Sequence, residues 1–427
     1  MKILFADARI LAMNDKAITR GDLIVEDKRI AYIGQNGRKH GPFDRIVECE
    51  GNVLMPGFKN AHTHSAMTFL RSFADDLSLH EWLYNWVFPI EAKLRPGDVY
   101  HLSKIAFAEY LTSGITANFD MYYSPKETAK ASSEFGMRTI LLGTPTSFKE
   151  SMKDLRDNYL SINGQSDLVS FRLGFHAEYT ATEEMLVALS KLAHEFKAPV
   201  FTHISETETE VGGCLERHGT TPVVYFDRLG LFDYGGGGFH GVFLSDEDIA
   251  VFKRRHLHLV TCPSSNTKLA SGIAPIQKFM EAGLNLSVGT DGPASNNCLD
   301  FFREMFLVTG LAKLKTSDPT SVDGYQVLKM ATVGGAKALG LGEADTLEVG
   351  KLADIIMIDL HRPNMQPINN IEKNIVYSGS KENVKLTMID GRILYEDGKF
   401  YLNESIDDIY KNAQMVTDRI KSEINQR

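Results

Sequence analysis

Apolar and polar positions change rhythm twice along this chain. From residue 3 to 55, short apolar runs fall at Ile3–Phe5, Leu23–Val25, Arg29–Ile33 and Ile46–Cys49, separated by turn residues at Asn14-Asp15, Gly34 and Gly41-Pro42. That is the texture of β-strands. It returns at Asp354–Ile358 and Val384–Ile389, where Asp390-Gly391 predicts a tight hairpin into Arg392–Tyr395. Two β-rich flanks around a different middle predict one small sheet domain assembled from both ends of the chain.

The middle alternates strand with helix. Val53–His64 reads as a buried strand, followed by strand signals at Ile115–Phe119, Arg138–Leu142, Val169–Phe175, Pro199–Thr202, Gly238–His240, His258–Thr261 and Leu286–Gly289. Helical periods lie between them, as at Glu183–Phe196, at Pro275–Ala282 and from Asp98, placed as the cap, to Gly114. An open doubly wound sheet would want a Gly-rich phosphate loop after an early strand, and none follows one here. The expected fold is α/β: a (β/α)₈ TIM-type barrel over 56–345, with a small β-sandwich domain built from 1–55 and 346–427. The tail from Ser405 places Ile406, Ile409, Tyr410, Ala413, Val416, Ile420 and Ile424 at helical spacing, which predicts an amphipathic helix packed on the body.

Composition narrows the function classes. A 43% hydrophobic and 24% charged chain of 427 residues is ordinary for a soluble globular protein. A net charge of −9 with no basic run argues against nucleic acid as partner. No apolar run has membrane-helix length, and Asp7 and Arg9 interrupt the start before an export segment forms. The four cysteines, Cys49, Cys214, Cys262 and Cys298, form no C-x-x-C and read as buried thiols in a reducing compartment. A cytoplasmic protein with a small-molecule substrate is expected, and a homo-oligomer is left open.

The candidate chemistry begins at His62-Thr63-His64. Residues i and i+2 of a strand share a side, so both imidazoles can aim at one point. With thirteen histidines in the chain a lone H-x-H arises by chance. The stronger observation is that other ligand types fall at the expected strand ends: His176 at the fourth, His203 at the fifth, His240 at the sixth and Asp291 at the eighth. Barrel enzymes put their chemistry at those ends. Neutral imidazoles with one carboxylate suit one divalent ion, Zn²⁺ first and Fe²⁺ or Mn²⁺ as alternatives.

These residues resemble the amidohydrolase superfamily, in which H-x-H opens the barrel and Asp closes it. The likeness extends to the branch of 5′-methylthioadenosine/S-adenosylhomocysteine deaminases, with their triazine-hydrolase and guanine-deaminase cousins. It is carried by Met55-Pro56-Gly57-Phe58, His62–Met67, Leu77–Leu83, His203-Ile204-Ser205-Glu206, Ser265–Gly272 and Gly289–Asn297. The resemblance implies a mononuclear site with His62, His64, His203 and Asp291 as ligands and His240 holding the attacking water. Binuclear relatives use a lysine from the fourth strand, and here that end is Phe175-His176-Ala177.

The resemblance further implies that Asp291 acts as base, that Glu206 protonates a ring nitrogen, that Glu91 accepts ribose hydroxyls and that His176 contacts the nucleoside. Trp82 is a candidate apolar wall. Glu208 and Glu210 read as solvated acids, and His176-Ala177-Glu178 lacks the P-C-x-x-C partner of cytidine-type deaminases, so Glu178 is read as non-catalytic. Relatives acting on S-adenosylhomocysteine place an arginine just after the third strand. This chain has Leu142-Gly143-Thr144-Pro145, with Lys149 the nearest cation.

The expected activity is hydrolytic deamination of an adenosine-type nucleoside (methylthioadenosine, 5′-deoxyadenosine, adenosine or S-adenosylhomocysteine) to its inosine analogue. The alternative is a deaminase or dechlorinase of a free heterocycle such as guanine, an oxidised purine, a pterin or a triazine. From another class comes a metal-free binding protein on the same barrel.

Overall fold

The computed structural model describes residues 1–146 and 150–425, and Lys149 lies outside the described residues. The chain opens with β1 (Lys2–Leu11), β2 (Ile18–Glu26), β3 (Arg29–Gly34), β4 (Arg45–Glu48) and β5 (Val53–Pro56). Eight further strands follow: β6 (Phe58–Thr63), β7 (Ile115–Met121), β8 (Arg138–Leu142), β9 (Val169–Gly174), β10 (Val200–Ile204), β11 (Gly236–His240), β12 (His258–Thr261) and β13 (Asn285–Val288). They hydrogen-bond in chain order, parallel throughout, with helices in the connections. Where the last meets the first, Asp291 N–H donates to the His62 carbonyl at 3.0 Å and Thr63 bridges Asp291 in parallel. The barrel is closed at the point where its first and eighth strands carry candidate ligands.

The barrel interior is filled, as in other barrels of this type. Ala61, Ala117, Phe119, Ile140, Phe201, Phe239 and Val260 meet there, with Phe119 edge-on to Phe201 at 4.9 Å between ring centroids. This layer forms the floor of the site above it.

The remaining strands, β14 (Ile355–Ile358), β15 (Val384–Ile389), β16 (Arg392–Glu396) and β17 (Lys399–Phe400), join β1–β5 in one mixed nine-stranded sheet ordered β17-β16-β15-β14-β5-β1-β2-β3, with β4 on β1. Ile3, Phe5, Leu23, Val25 and Leu54 share a core with Ile355, Met357, Leu386 and Met388, so both ends of the chain supply it. The hairpin at Asp390-Gly391 has both residues at positive φ, 52° and 74°, the geometry two-residue turns between twisted strands favour.

Several elements differ from the sequence expectation. Val53–His64 is two strands in different sheets, parted at Gly57, where a β-carbon would lie 2.1 Å from Thr116 Cγ2. Every residue from Val53 to Thr63 is buried, so burial does not mark the break, and Pro56-Gly57 is the sequence signal for it. The first helix of the barrel, Asp98–Thr112, is capped by Gly97, and Asp98 is its first residue. Cys298 is half-buried, whereas the other three cysteines are buried.

The terminal helix, Ile406–Asn425, packs Ile409, Ala413, Val416 and Ile420 inward and is tied to the body by Arg419 on Asp98. Tyr410 faces solvent instead. Among the described residues no helix is long and apolar enough to cross a membrane.

Sheet and barrel are riveted by charge. Arg138, at the start of β8, places Nε 2.7 Å and Nη2 3.0 Å from the two oxygens of Asp354, and Nη2 lies 3.3 Å from Asp390. Arg138 and Asp354 are both buried. The guanidinium outweighs desolvation and holds the Asp354 carboxyl below its ordinary range.

Candidate active site

Parallel strands aim their C-terminal ends at one rim, and the strand-end residues gather there. The ligand atoms of His62, His203, His240 and Asp291 all lie within 4.8 Å of one another. His64 joins through the carboxylate: its Nε2 is 3.1 Å from Asp291 Oδ1, and His62 Nε2 is 3.3 Å from the same oxygen. Five of the singled-out residues thus surround one point. His240, expected to hold water, belongs to the same cluster as residues expected to hold metal.

The imidazoles are oriented from behind. His64 Nδ1 donates to the Met121 carbonyl, His203 Nδ1 to the His176 carbonyl at 2.6 Å, and His240 Nδ1 to Asn266 Oδ1 at 2.8 Å. Each bond leaves Nε2 facing the centre, the usual arrangement for metal-ligating histidines. His62 is fixed differently, its ring stacked on Phe239 at 3.8 Å. Burial pushes His62 down to about 3 and His203 well below its ordinary value, so both are neutral and offer lone pairs.

Asp291 is held by two hydroxyls. Ser265 Oγ donates to Oδ2 at 2.5 Å and Ser295 Oγ to the same oxygen at 2.9 Å, leaving Oδ1 to the histidines. Burial would raise this carboxyl, but the imidazoles against it hold it well below the ordinary range. Gly289 permits the approach: a β-carbon there would lie 2.8 Å from His62 Cβ and 2.9 Å from its backbone nitrogen.

The donor set fits a divalent cation. Both ring nitrogens of His62 are buried and, among the described residues, neither makes a hydrogen bond, Nε2 standing only in contact with Asp291, a costly state for a polar ring. A first-row divalent ion at the shared point gives Nε2 its partner and balances the buried Asp291 charge.

The same rim encloses a cavity lined by His64, Trp82, Glu91, His176, His203, Glu206, His240 and Asp291. Only His62, buried beneath, is missing from this lining among the residues singled out. Glu206 accepts from Ser271 Oγ at 3.3 Å and lies 3.7 Å from His240 Nε2. Burial raises its carboxyl. Across the cavity, Glu91 Oε1 accepts the Tyr122 hydroxyl at 2.6 Å. His176 Nδ1 donates to Thr180 Oγ1 at 3.0 Å, because that hydroxyl spends its own proton on the Ala177 carbonyl, and burial pushes His176 down to about 3.

One sequence reading changes. Glu210 is buried, not solvated: its Oε1 accepts Ser205 N–H at 2.9 Å and its Oε2 accepts Glu206 N–H at 2.8 Å. Burial pushes Glu210 up to about 7 against the pull of those donors. Glu178 is also buried, paired with Arg217 and lying 3.4 Å from His218 Nε2. Ser265, Ser295, Asn266 and Tyr122 received no role from the sequence. Their function depends on a partner brought near by folding.

A barrel closed through His62 and Asp291, with histidines around a single point, is the arrangement of metal-dependent hydrolases. The chain belongs to the amidohydrolase family, whose model matches residues 53–394. It is 39% identical over 406 residues to a 5-methylthioadenosine/S-adenosylhomocysteine deaminase of Syntrophomonas wolfei, covering 93% of this chain and 94% of that protein. It is 38% identical over 404 residues to a 5′-deoxyadenosine deaminase of Methanosarcina acetivorans, covering 92% and 93%. Among solved structures, an adenosine deaminase from Xanthomonas campestris with bound zinc matches with a TM-score of 0.92 at 30% identity, over 98% of each chain.

Proposed function

We propose that this protein is a metal-dependent aminohydrolase that converts an adenosine-type nucleoside to its inosine analogue with release of ammonia. The observation that carries the reading is the shared cavity. Glu206, His240 and Asp291 face it from one side, and Glu91 and His176 line it too. A ring to be protonated and attacked and a sugar to be held are thereby both provided for. The relatives named as nucleoside deaminases support it.

His62, His64, His203 and Asp291 would hold the metal, Zn²⁺ in the first instance. A divalent ion there supplies Lewis acidity that brings the pKa of water from about 15.7 towards about 7. His240 Nε2, its other nitrogen bound to Asn266, accepts from the attacking water and orients it. Glu206, whose carboxyl burial raises, donates to the ring nitrogen beside the reacting carbon. Asp291 takes one proton of the water and passes it to the departing amine, and the proton left on the attacking oxygen returns to Glu206 as the carbonyl forms. One C–O bond forms, one C–N bond breaks, and ammonia leaves.

Glu91 accepts the ribose hydroxyls, with Tyr122 fixing its orientation. His176, with its Nδ1 proton engaged, presents Nε2 as an acceptor beside them. Trp82 forms an apolar wall. Residues Leu142–Thr146 carry no cation, which favours methylthioadenosine, 5′-deoxyadenosine and adenosine over S-adenosylhomocysteine, whose tail ends in a carboxylate.

Ammonia release by zinc-loaded protein, assayed on all four nucleosides, tests the reading. Turnover of at least one is expected, the three smaller ones first. No turnover of any, with one equivalent of metal bound, overturns it.

A further inference from the structure

We propose that Glu210 is a positioning residue for the reaction, fixing the turn that carries Glu206 so that the Glu206 carboxyl faces His240. This rests on Glu206 being the proton donor. The helix Glu208–His218 starts from Thr207, whose side chain accepts Glu210 N–H at 3.2 Å. A glutamate at the third helical position ordinarily bends back to the N–H of the capping residue itself. Glu210 reaches past that residue, and its two oxygens take the N–H groups of Ser205 and Glu206 instead. An ordinary box on Thr207 would serve helix stability. The longer reach buries a carboxyl and determines the conformation of the residues just before the helix.

That conformation needs holding. Ser205 has φ 51°, a left-handed setting unfavourable for a residue with a β-carbon. Besides Glu210, Gly241 N–H on Ile204 O at 3.1 Å and Phe243 N–H on Ser205 O at 2.9 Å hold the turn. Those donors follow His240, so the turn bearing Glu206 is locked onto the one bearing its neighbour in the site. At the far end of the helix, Arg217 on buried Glu178 keeps the lever in place. Glu208, two residues earlier, faces solvent and has no such part.

The test is a double-mutant cycle on zinc-loaded protein with Glu206→Gln, Glu210→Gln and the pair. Metal content, kcat and KM are read on the best nucleoside, and a crystal structure of Glu210→Gln is determined. Gln keeps one acceptor but sets an NH₂ against the second backbone N–H. We expect kcat of Glu210→Gln to fall about 100-fold, with KM and metal content unchanged and the Glu206 side chain displaced. We expect the double variant to be no slower than Glu206→Gln alone, because a residue acting through another adds nothing once that other is gone.

If the two losses multiply, or metal is lost, Glu210 is a structural residue and the proposal fails while Glu206 keeps its role. If Glu206→Gln retains full activity, the proton-donor reading itself fails and takes the proposal with it. Should Glu210→Gln not fold, Glu210→Asp, too short to span both N–H groups, enters the same cycle. Failure of both to fold counts for the structural role.

Discussion

Ser265 Oγ sits 2.5 Å from Asp291 Oδ2 and so decides which oxygen of that carboxylate meets the histidines. Ser295 supports the same oxygen. Residues of this kind around a metal ligand are typically worth 10–100-fold in affinity. Ser265→Ala is therefore expected to release zinc at about tenfold lower chelator concentration than the parent, and the double variant with Ser295→Ala at lower still. Chelator titration followed by metal analysis measures it; an unchanged midpoint in both variants removes the two hydroxyls from the account.

Glu91 and its partner Tyr122 give a second prediction, about substrate. A hydrogen bond to a charged group contributes about 1.5–3 kcal/mol. Glu91→Gln should then raise KM for methylthioadenosine about tenfold or more without loss of metal, and Tyr122→Phe should move KM the same way by less. Turnover left intact in Glu91→Gln would shift the reading towards a free heterocycle.

The Arg138–Asp354 pair predicts a stability effect far from the chemistry. Removing one partner of a buried ion pair strands the other, typically at a cost of 3–5 kcal/mol. Asp354→Asn should lower the denaturation midpoint accordingly, while kcat of the remaining folded protein stays at the parental value. A midpoint within error of the parent would mean that sheet and barrel do not depend on this rivet.

Glu304 supplies a pH dependence. It is buried on the helix Phe301–Thr316, accepting Ser264 N–H at 3.1 Å and Asn296 Nδ2 at 2.7 Å. Burial pushes its carboxyl from 4.5 up to about 8. Between those values the folded chain keeps a proton that the unfolded chain has lost, so stability falls as pH rises. The contribution is complete below 4.5 and gone once pH has passed about 8. Thermal unfolding across that window should show a downward slope in the parent that is reduced in Glu304→Gln; identical slopes would count against it.

Much of this was readable in the chain because barrel strands and their ligands are local patterns. Buried parallel strands read as short apolar runs, and all eight barrel strands were expected near where they stand. His62, His203, His240 and Asp291 were found because a barrel delivers strand ends to one place. Glu210 was misread for a physical reason: in Glu206–Glu210 alternate acids look alike, and only the helix starting at Glu208 turns one inward and leaves another in water. Ser265, Asn266 and Tyr122 are ordinary polar residues until a distant partner arrives. The break at Gly57 was passed over because residues 53–63 are buried throughout, although Pro56-Gly57 signals a turn.

The pairing of β5 with β14 has a consequence for synthesis. One edge of β5 stays unpaired until residues 355–358 have been made, after every strand of the barrel. A nascent chain must therefore carry an open, sticky edge through most of its own birth, and the Asp354–Arg138 clasp cannot close before then either. Truncation ahead of Ile355 would leave that edge permanently bare and invite the chain to aggregate.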